Sequence, residues 1–288
     1  IAGLQGVVDH ILVGHLIGYA GNAAIGVSWQ IFLVVIVFIA SLFTGQAVLV
    51  ARFVGAGDVD QVNKTVQQAL LTAIAMYAVM GPVGYFAAPY LLELVNASGE
   101  VKALALPFLR LNFALSFGML SFFMLTSALR AAGDARTPLR LGVTMTILNV
   151  IFNLILIPGL GPIPALGTAG SALGTAIASS SVSAFALYQL FKGRLVFKVT
   201  RRMDWHPDWT IIRSLFRFGL PTGVQGIAMN VAGVVMLRYI GSLPQSAAAQ
   251  AAFTIGYTEL FSMITWTSVG LMGAAATIAG QNLGAGHP

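Results

Sequence analysis

The chain has 288 residues, 57% of them hydrophobic and 8% charged, with a formal charge of +6 and a mean hydropathy of +0.86. Soluble domains carry roughly 25% charged residues, so the composition excludes a soluble domain and requires an integral membrane protein. Cysteine is absent, which excludes disulfide staples, thiolate metal sites and a cysteine nucleophile.

A bilayer core needs about 20 apolar residues per helix, and Gly, Pro and charge clusters divide the chain into eight such runs. They predict an all-α polytopic protein with helices over 1–18, 22–53, 62–93, 101–131, 138–158, 168–191, 211–240 and 246–280. Helix one carries Asp9 in an otherwise apolar run, and a carboxylate there is costly unless it faces a wet cavity or a partner. Asp9 is therefore a candidate functional residue. His10 and His15, five apart, point in different directions around the helix and predict no metal site. Pro82, Pro89, Pro107 and Pro221 mark kinks in helices three, four and seven.

Helix five places Asn149 and Asn153 on one face, four residues apart, with Thr146 three residues earlier. That polar stripe serves either a binding site or interhelical hydrogen bonding. Helix six carries Gly170-x-x-x-Gly174 beside Ser171, Thr175 and Ser179, a pattern that equally suits close packing. Helix eight carries the second intramembrane carboxylate, Glu259, about thirteen residues in and near mid-depth.

Twelve of the fifteen Lys and Arg residues fall in the even-numbered connections, and only Lys102, Arg110 and Arg238 fall on the other side. The positive-inside rule then puts the N-terminus in the cytoplasm. The net charge is a topology signal, so no nucleic-acid partner is expected. Lys192 to Pro207 holds the densest charge cluster and reads as a linker. The chain thus divides into a six-helix bundle over 1–192, a cytoplasmic linker over 193–210 and two further helices over 211–288.

Three echoes support a duplication. Gly3-Leu-Gln-Gly6 returns as Gly223-Val-Gln-Gly226, Leu16-Ile-Gly18 as Tyr239-Ile-Gly241, and the stretch ending Gly55-Ala-Gly57 as that ending Gly284-Ala-Gly286, with offsets of 220, 223 and 229. Six helices before the second copy make the repeats parallel, a transporter habit. P-loop, nucleophile-elbow and His-Glu-x-x-His patterns are all missing from the sequence, so no enzymatic activity is expected.

Seven motifs stand in one order along the chain: Val8-Asp-His-Ile-Leu-Val-Gly-His-Leu16, Gly45-Gln46 with Gly55-Ala-Gly-Asp58, Leu129-Arg-Ala-Ala-Gly-Asp-Ala-Arg-Thr-Pro138, Leu148-Asn-Val-Ile-Phe-Asn153, Gly167-Thr-Ala-Gly-Ser-Ala-Leu-Gly-Thr175, Gly219-Leu-Pro221 and Gly280-Gln-Asn-Leu-Gly-Ala-Gly286. Together they resemble the MATE family of multidrug and toxic-compound extrusion transporters, closer to its DinF-like than its NorM-like branch. The resemblance implies twelve helices in two six-helix bundles, with the start of helix one and the last four helices outside this chain. It implies a bacterial inner-membrane protein that works as a monomer among membrane lipids. Its expected activity is export of amphipathic or cationic small molecules against protons or sodium, with no cofactor beyond the coupling ion.

In the DinF-like branch, helix five carries Asn-x-x-x-Asp, and those side chains join the helix-one Asp and a helix-six Thr in an ion or proton site. The matching positions are Asn149, Asn153 and Thr175 beside Asp9, with Asn153 standing where the branch has Asp. One negative charge instead of two favours a proton over sodium. Some bacterial members carry a Glu near the position of Glu259, which implies a place in the substrate cavity. Helix seven offers only Met229 and Asn230 where NorM-like members place a Glu. The rival expectations are a lipid-linked saccharide flippase of the same superfamily, which wants cationic groups in its cavity, and a membrane receptor or scaffold without transport.

Overall fold

The computed structural model describes residues 10–200 and 203–287, and side chains throughout these except at 258–263 and 266. The secondary structure of the described residues is helical: α1 over 10–16, α2 Tyr19–Gly55, α3 Val59–Leu94, α4 Gly99–Ala114, α5 Phe117–Ala131, α6 Arg136–Leu156, α7 Gly167–Phe191, α8 Trp209–Gly241, α9 Ser246–Phe253, a π-helical segment Thr254–Leu260, and α10 Phe261–Gly284. Among the described residues five helices are long and apolar enough to cross a membrane, or six when the bent pair α4 and α5 counts as one span. Among the described residues each of the eight expected runs is helical, the first over 10–16 only, with two differences in how they run.

The first difference is in the fourth run. It bends by 53° at Leu115 and Ser116 rather than at Pro107. Ser116 turns its hydroxyl onto the Phe113 carbonyl at 3.0 Å, and the Tyr77 hydroxyl of α3 donates to the Ala114 carbonyl at 2.6 Å. A carbonyl at the break thus finds a donor on a neighbouring helix, the condition for an interrupted helix in lipid. The prolines, in contrast, lie within continuous helices: Pro82 and Pro89 in α3, Pro107 in α4 and Pro221 in α8. The second difference is the π-helical segment that splits the eighth run.

One turn recurs at helix ends. After α2, Gly57 takes φ +72°, with Gly57 N–H bonded to Val54 O and Asp58 N–H to Phe53 O. This is the glycine-terminated six-to-one closure that satisfies the last carbonyls. The same pair of bonds closes α5 at Gly133, α7 at Gly193 and α10 at Gly286. In α10 the donors and acceptors, Gly286 to Leu283 and His287 to Asn282, are those of α2 shifted by 229. The third echo is therefore a repeated piece of structure.

An aspartate following the glycine starts the next helix in two of these turns. Asp58 accepts from Gln61 N–H at 3.0 Å, and Asp134 accepts from Arg136 and Thr137 N–H, each at 3.0 Å. Burial pushes the Asp134 carboxyl up, but the Thr137 hydroxyl, these two N–H groups and nearby Arg140 outweigh it and hold the group below its ordinary value.

Helix α2 is the hub, packed against α3, α4, α5, α8 and α10. Its faces carry the main apolar core, including Phe32, Ile36, Ile39 and Phe43. Close approach to α8 depends on glycine: a Cβ on Gly219 would collide with the Ser41 carbonyl, and one on Gly45 with the Leu215 carbonyl. A second reciprocal contact joins the ends of α2 and α10, where Gly55 abuts the Gln281 carbonyl and Gly284 the Arg52 carbonyl. Arg52 and Gln281 are again 229 apart, so the two copies of the turn face each other across a pseudo-two-fold axis. Gln281 adds a bond from Nε2 to the Ala131 carbonyl of α5 at 3.0 Å.

Candidate functional site

Asn149 and Asn153 lie one turn apart on α6, both fully buried. Two amides in an apolar bundle need partners, because an unsatisfied buried polar group costs about 1–3 kcal/mol. Asn149 Nδ2 donates to Thr175 Oγ1 on α7 at 2.9 Å, and Asn153 Nδ2 approaches Asn149 Oδ1 at 3.5 Å. The structure therefore brings together three of the expected site residues. Gly174 makes this possible, since a Cβ there would collide with Asn153 Oδ1.

The neighbouring hydroxyls do other work. Thr146 bonds back to the Gly142 carbonyl at 3.0 Å and Ser179 to the Ala176 carbonyl at 3.2 Å, so both leave the stripe and satisfy their own helices. Gly170 packs against the Leu156 and Ile157 backbone, a close approach of α6 and α7.

Asp9 lies outside the described residues. The helix it precedes, α1, opens with His10, which is buried, its Nδ1 3.1 Å from Asn22 Oδ1 on α2. Val13 of α1 packs in a small apolar cluster with Ile25, Phe108, Ile157 and Ala172. Ile157 is one turn beyond Asn153, so α1 abuts the α6–α7 pair at the level of the amide network. Glu259 falls within the π-helical segment, and its side chain also lies outside the description. π-Helical turns within α-helices are frequent at functional sites.

Two polar features escaped the sequence reading. Gln30 of α2 donates from Nε2 to the Asn230 carbonyl at 3.0 Å and Oδ1 at 3.3 Å, a polar link between α2 and α8 inside the bundle. Asn230 had been noted only for not being an acid. Gln46 is fully buried on α2, and neither of its amide atoms has a hydrogen bond. In both cases the available signal was an amide inside a long apolar run, without any clue to its partner.

The linker is more than a tether. Phe197 and Val199 are fully buried, and α3 presents a row of side chains to the linker backbone between and beyond them. Asn63 Oδ1 accepts from Lys198 N–H at 2.7 Å, while Gln67 and Gln68 donate to the carbonyls of Asp204 and His206 at 2.8 and 3.0 Å. Asp208 caps α8 through the N–H groups of Thr210 and Ile211, and its other oxygen meets Lys64 Nζ at 2.5 Å. That lysine holds the Asp208 carboxyl below its ordinary value; burial opposes it, and the two cap N–H groups add to the lowering.

Long apolar helices, glycine-lined crossings and an interior amide network define a multi-pass α-helical membrane protein of the transporter class. Residues 4–155 match the MatE family. This is more than half of the chain, which belongs to that family of multidrug efflux transporters. Over 282 residues it is 26% identical to a probable multidrug resistance protein YpnP of Bacillus subtilis, covering 97% of this chain and 61% of that protein. A probable multidrug resistance protein NorM of Thermotoga maritima is 26% identical over 284 residues, covering 99% of this chain and 60% of the relative. A solved structure, the inward-facing conformation of a multidrug resistance MATE family transporter of the MOP superfamily, superposes with a TM-score of 0.81 at 25% identity, covering 96% of this chain and 61% of that one. The chain thus spans about three fifths of the length of these relatives.

Proposed function

We propose that the full-length protein exports amphipathic or cationic small molecules in exchange for protons or sodium by alternating access. The observation that carries this reading is the buried Asn149–Thr175–Asn153 network beside the start of α1. Asp9, one turn before Val13 in the sequence, is the residue we assign as the coupling charge. Because Asn153 cannot ionise, one carboxylate carries the coupling, which favours a proton. One charge moved across 100 mV is worth about 2.3 kcal/mol, enough for a roughly fifty-fold gradient of a neutral substrate.

By the positive-inside rule we read the Gly55 and Gly284 turns as lying on the cytoplasmic side of an inner membrane. Their reciprocal contact, with Gln281 on the end of α5, then closes the cytoplasmic end, and opening it completes the transport cycle. On this reading the protein works as a monomer among membrane lipids. The 1–192 and 211–288 segments belong to opposite bundles joined by the linker, and Glu259 in its π-helical turn lines the substrate cavity.

The test is flux of a fluorescent organic cation such as ethidium in proteoliposomes of the full-length protein under an imposed pH or sodium gradient. Gradient-driven flux is expected, and Asp9→Asn should abolish the coupling. Flux indifferent to both gradients overturns the antiport, and flux unchanged in Asp9→Asn removes Asp9 from the mechanism.

A further inference from the structure

Arg110 lies inside a membrane helix and, among the described residues, has no counter-charge. It is the twelfth residue of α4, inside the fourth expected run and on its external side by the positive-inside count. Lys102, eight residues earlier, pairs with Glu93 where α3 ends and α4 begins and so marks the polar boundary. Eight residues at 1.5 Å each put the Arg110 backbone about 12 Å deeper.

Arg110 shares with Ala103, Pro107 and Ala114 the stripe opposite the buried face of α4. That buried face meets α2, α3 and α7, through Ala105 bonded to Ser28, Phe113 against Phe32 and Gly84, and Leu104 bonded to Thr168. Helices α8 and α10 pack on α2. Arg110 therefore faces outward from the perimeter of the first bundle.

Its guanidinium carbon sits 5.1 Å from the centre of the Tyr85 ring on α3. Nε is buried without a hydrogen bond, and no carboxylate pairs with the group among the described residues. The ring balances part of the charge but leaves the N–H groups without an acceptor. Intramembrane arginines persist where a partner meets them, and a guanidinium is shaped for two parallel bonds to a phosphate. Side chains on a helix lean toward its N-terminus, so Arg110 reaches back toward the level of Lys102 and the headgroups. Tyr90 and Phe86 are exposed on α3 at and above the level of Tyr85, and Val83 and Val79 continue an exposed apolar stripe below.

We propose that Arg110, held against Tyr85, binds the phosphate of an anionic phospholipid whose acyl chain lies along the Phe86–Val83–Val79 stripe. The site opens to the bilayer, which favours a lipid over free phosphate as the source of the anion. Placing it in the external leaflet rests on the orientation proposed above, and the site itself does not.

The experiment uses the full-length protein. Lipids retained through purification are counted by native mass spectrometry, and Tm is measured in phosphatidylcholine vesicles with and without phosphatidylglycerol. The wild type should retain phosphatidylglycerol in preference and gain Tm from it. Arg110→Gln should retain it about tenfold less, as loss of charge-assisted bonds implies, while Lys102→Gln keeps it. Should Arg110→Gln fold poorly, Arg110→Lys and Tyr85→Leu provide the same comparison, each with weaker retention than the wild type. Equal retention in wild type and variants overturns the proposal, as does an absence of preference over phosphatidylcholine. An equal rise of Tm with inorganic phosphate makes it a site for free anions and overturns the lipid. Lipid retention is read without transport, so its failure leaves the antiport standing, and a failed flux assay leaves the lipid site standing.

Discussion

A neutral amide survives inside a membrane bundle by finding another helix. Asn149 does so through Thr175, and the prediction follows directly. Thr175→Val keeps the shape but removes the acceptor of Asn149 Nδ2, so a buried N–H loses its partner. Thermal or denaturant unfolding should show a loss of about 1–3 kcal/mol, and Thr175→Ser should recover most of it. An unchanged midpoint in Thr175→Val would mean that the bond contributes nothing. The spacing of Asn149 and Asn153 was legible in sequence because helical periodicity puts them on one face. Their reach to α7 was not, since it depends on Gly174 leaving room for Asn153. Thr146 shows the limit: it has the right spacing, yet its hydroxyl satisfies its own helix.

Among the elements, the linker carries the clearest pH dependence. The Asp208 carboxyl is held below its ordinary value, chiefly by Lys64. A carboxylate depressed in the folded state stabilises fully above its unfolded value of about 4 and loses that contribution as pH falls through the lowered folded value. Acidification below about pH 4 should therefore loosen the strap between α3 and α8 while it remains intact at neutral pH. Hydrogen exchange at residues 203–208 is the measure, and Asp208→Asn should exchange faster at pH 7 with a flatter acid response. The helices themselves were legible from composition and period. The bend at Ser116 and the unbroken course through Pro82, Pro89 and Pro221 were not, because a neighbour's hydroxyl or close packing decides whether a freed carbonyl is tolerated.

For the whole molecule, the proposed alternating access makes the contact between the Gly55 and Gly284 turns the joint that transport has to open. A Cβ on Gly280 would lie 2.8 Å from that of Ala51, a spacing that a small shift brings to the roughly 3.8 Å of a disulfide. These 288 residues contain no cysteine, so within them Ala51→Cys with Gly280→Cys can form one bridge, and any cysteine elsewhere in the full-length protein is replaced first. Oxidation should stop gradient-driven flux, and a reductant should restore it. Full flux from the oxidised pair would show that this end of the bundle does not open during transport.

The chain by itself determined the membrane class, the helical runs, the parallel repeat and the polar positions, because each is written in composition, in a 3.6-residue period or in glycine and charge at loop sites. Tertiary structure alone decided which polar groups meet: Asn149 with Thr175, Gln30 with Asn230, Lys64 with Asp208, and Arg110 with a ring rather than an acid. The reason is physical. Hydrophobic periodicity reports which face of a helix is buried, but partners on different helices are chosen by how closely backbones approach, and here glycines set those approaches. The Gly-Ala-Gly echo marks the division, since its recurrence was visible in the sequence and its two copies touching was not.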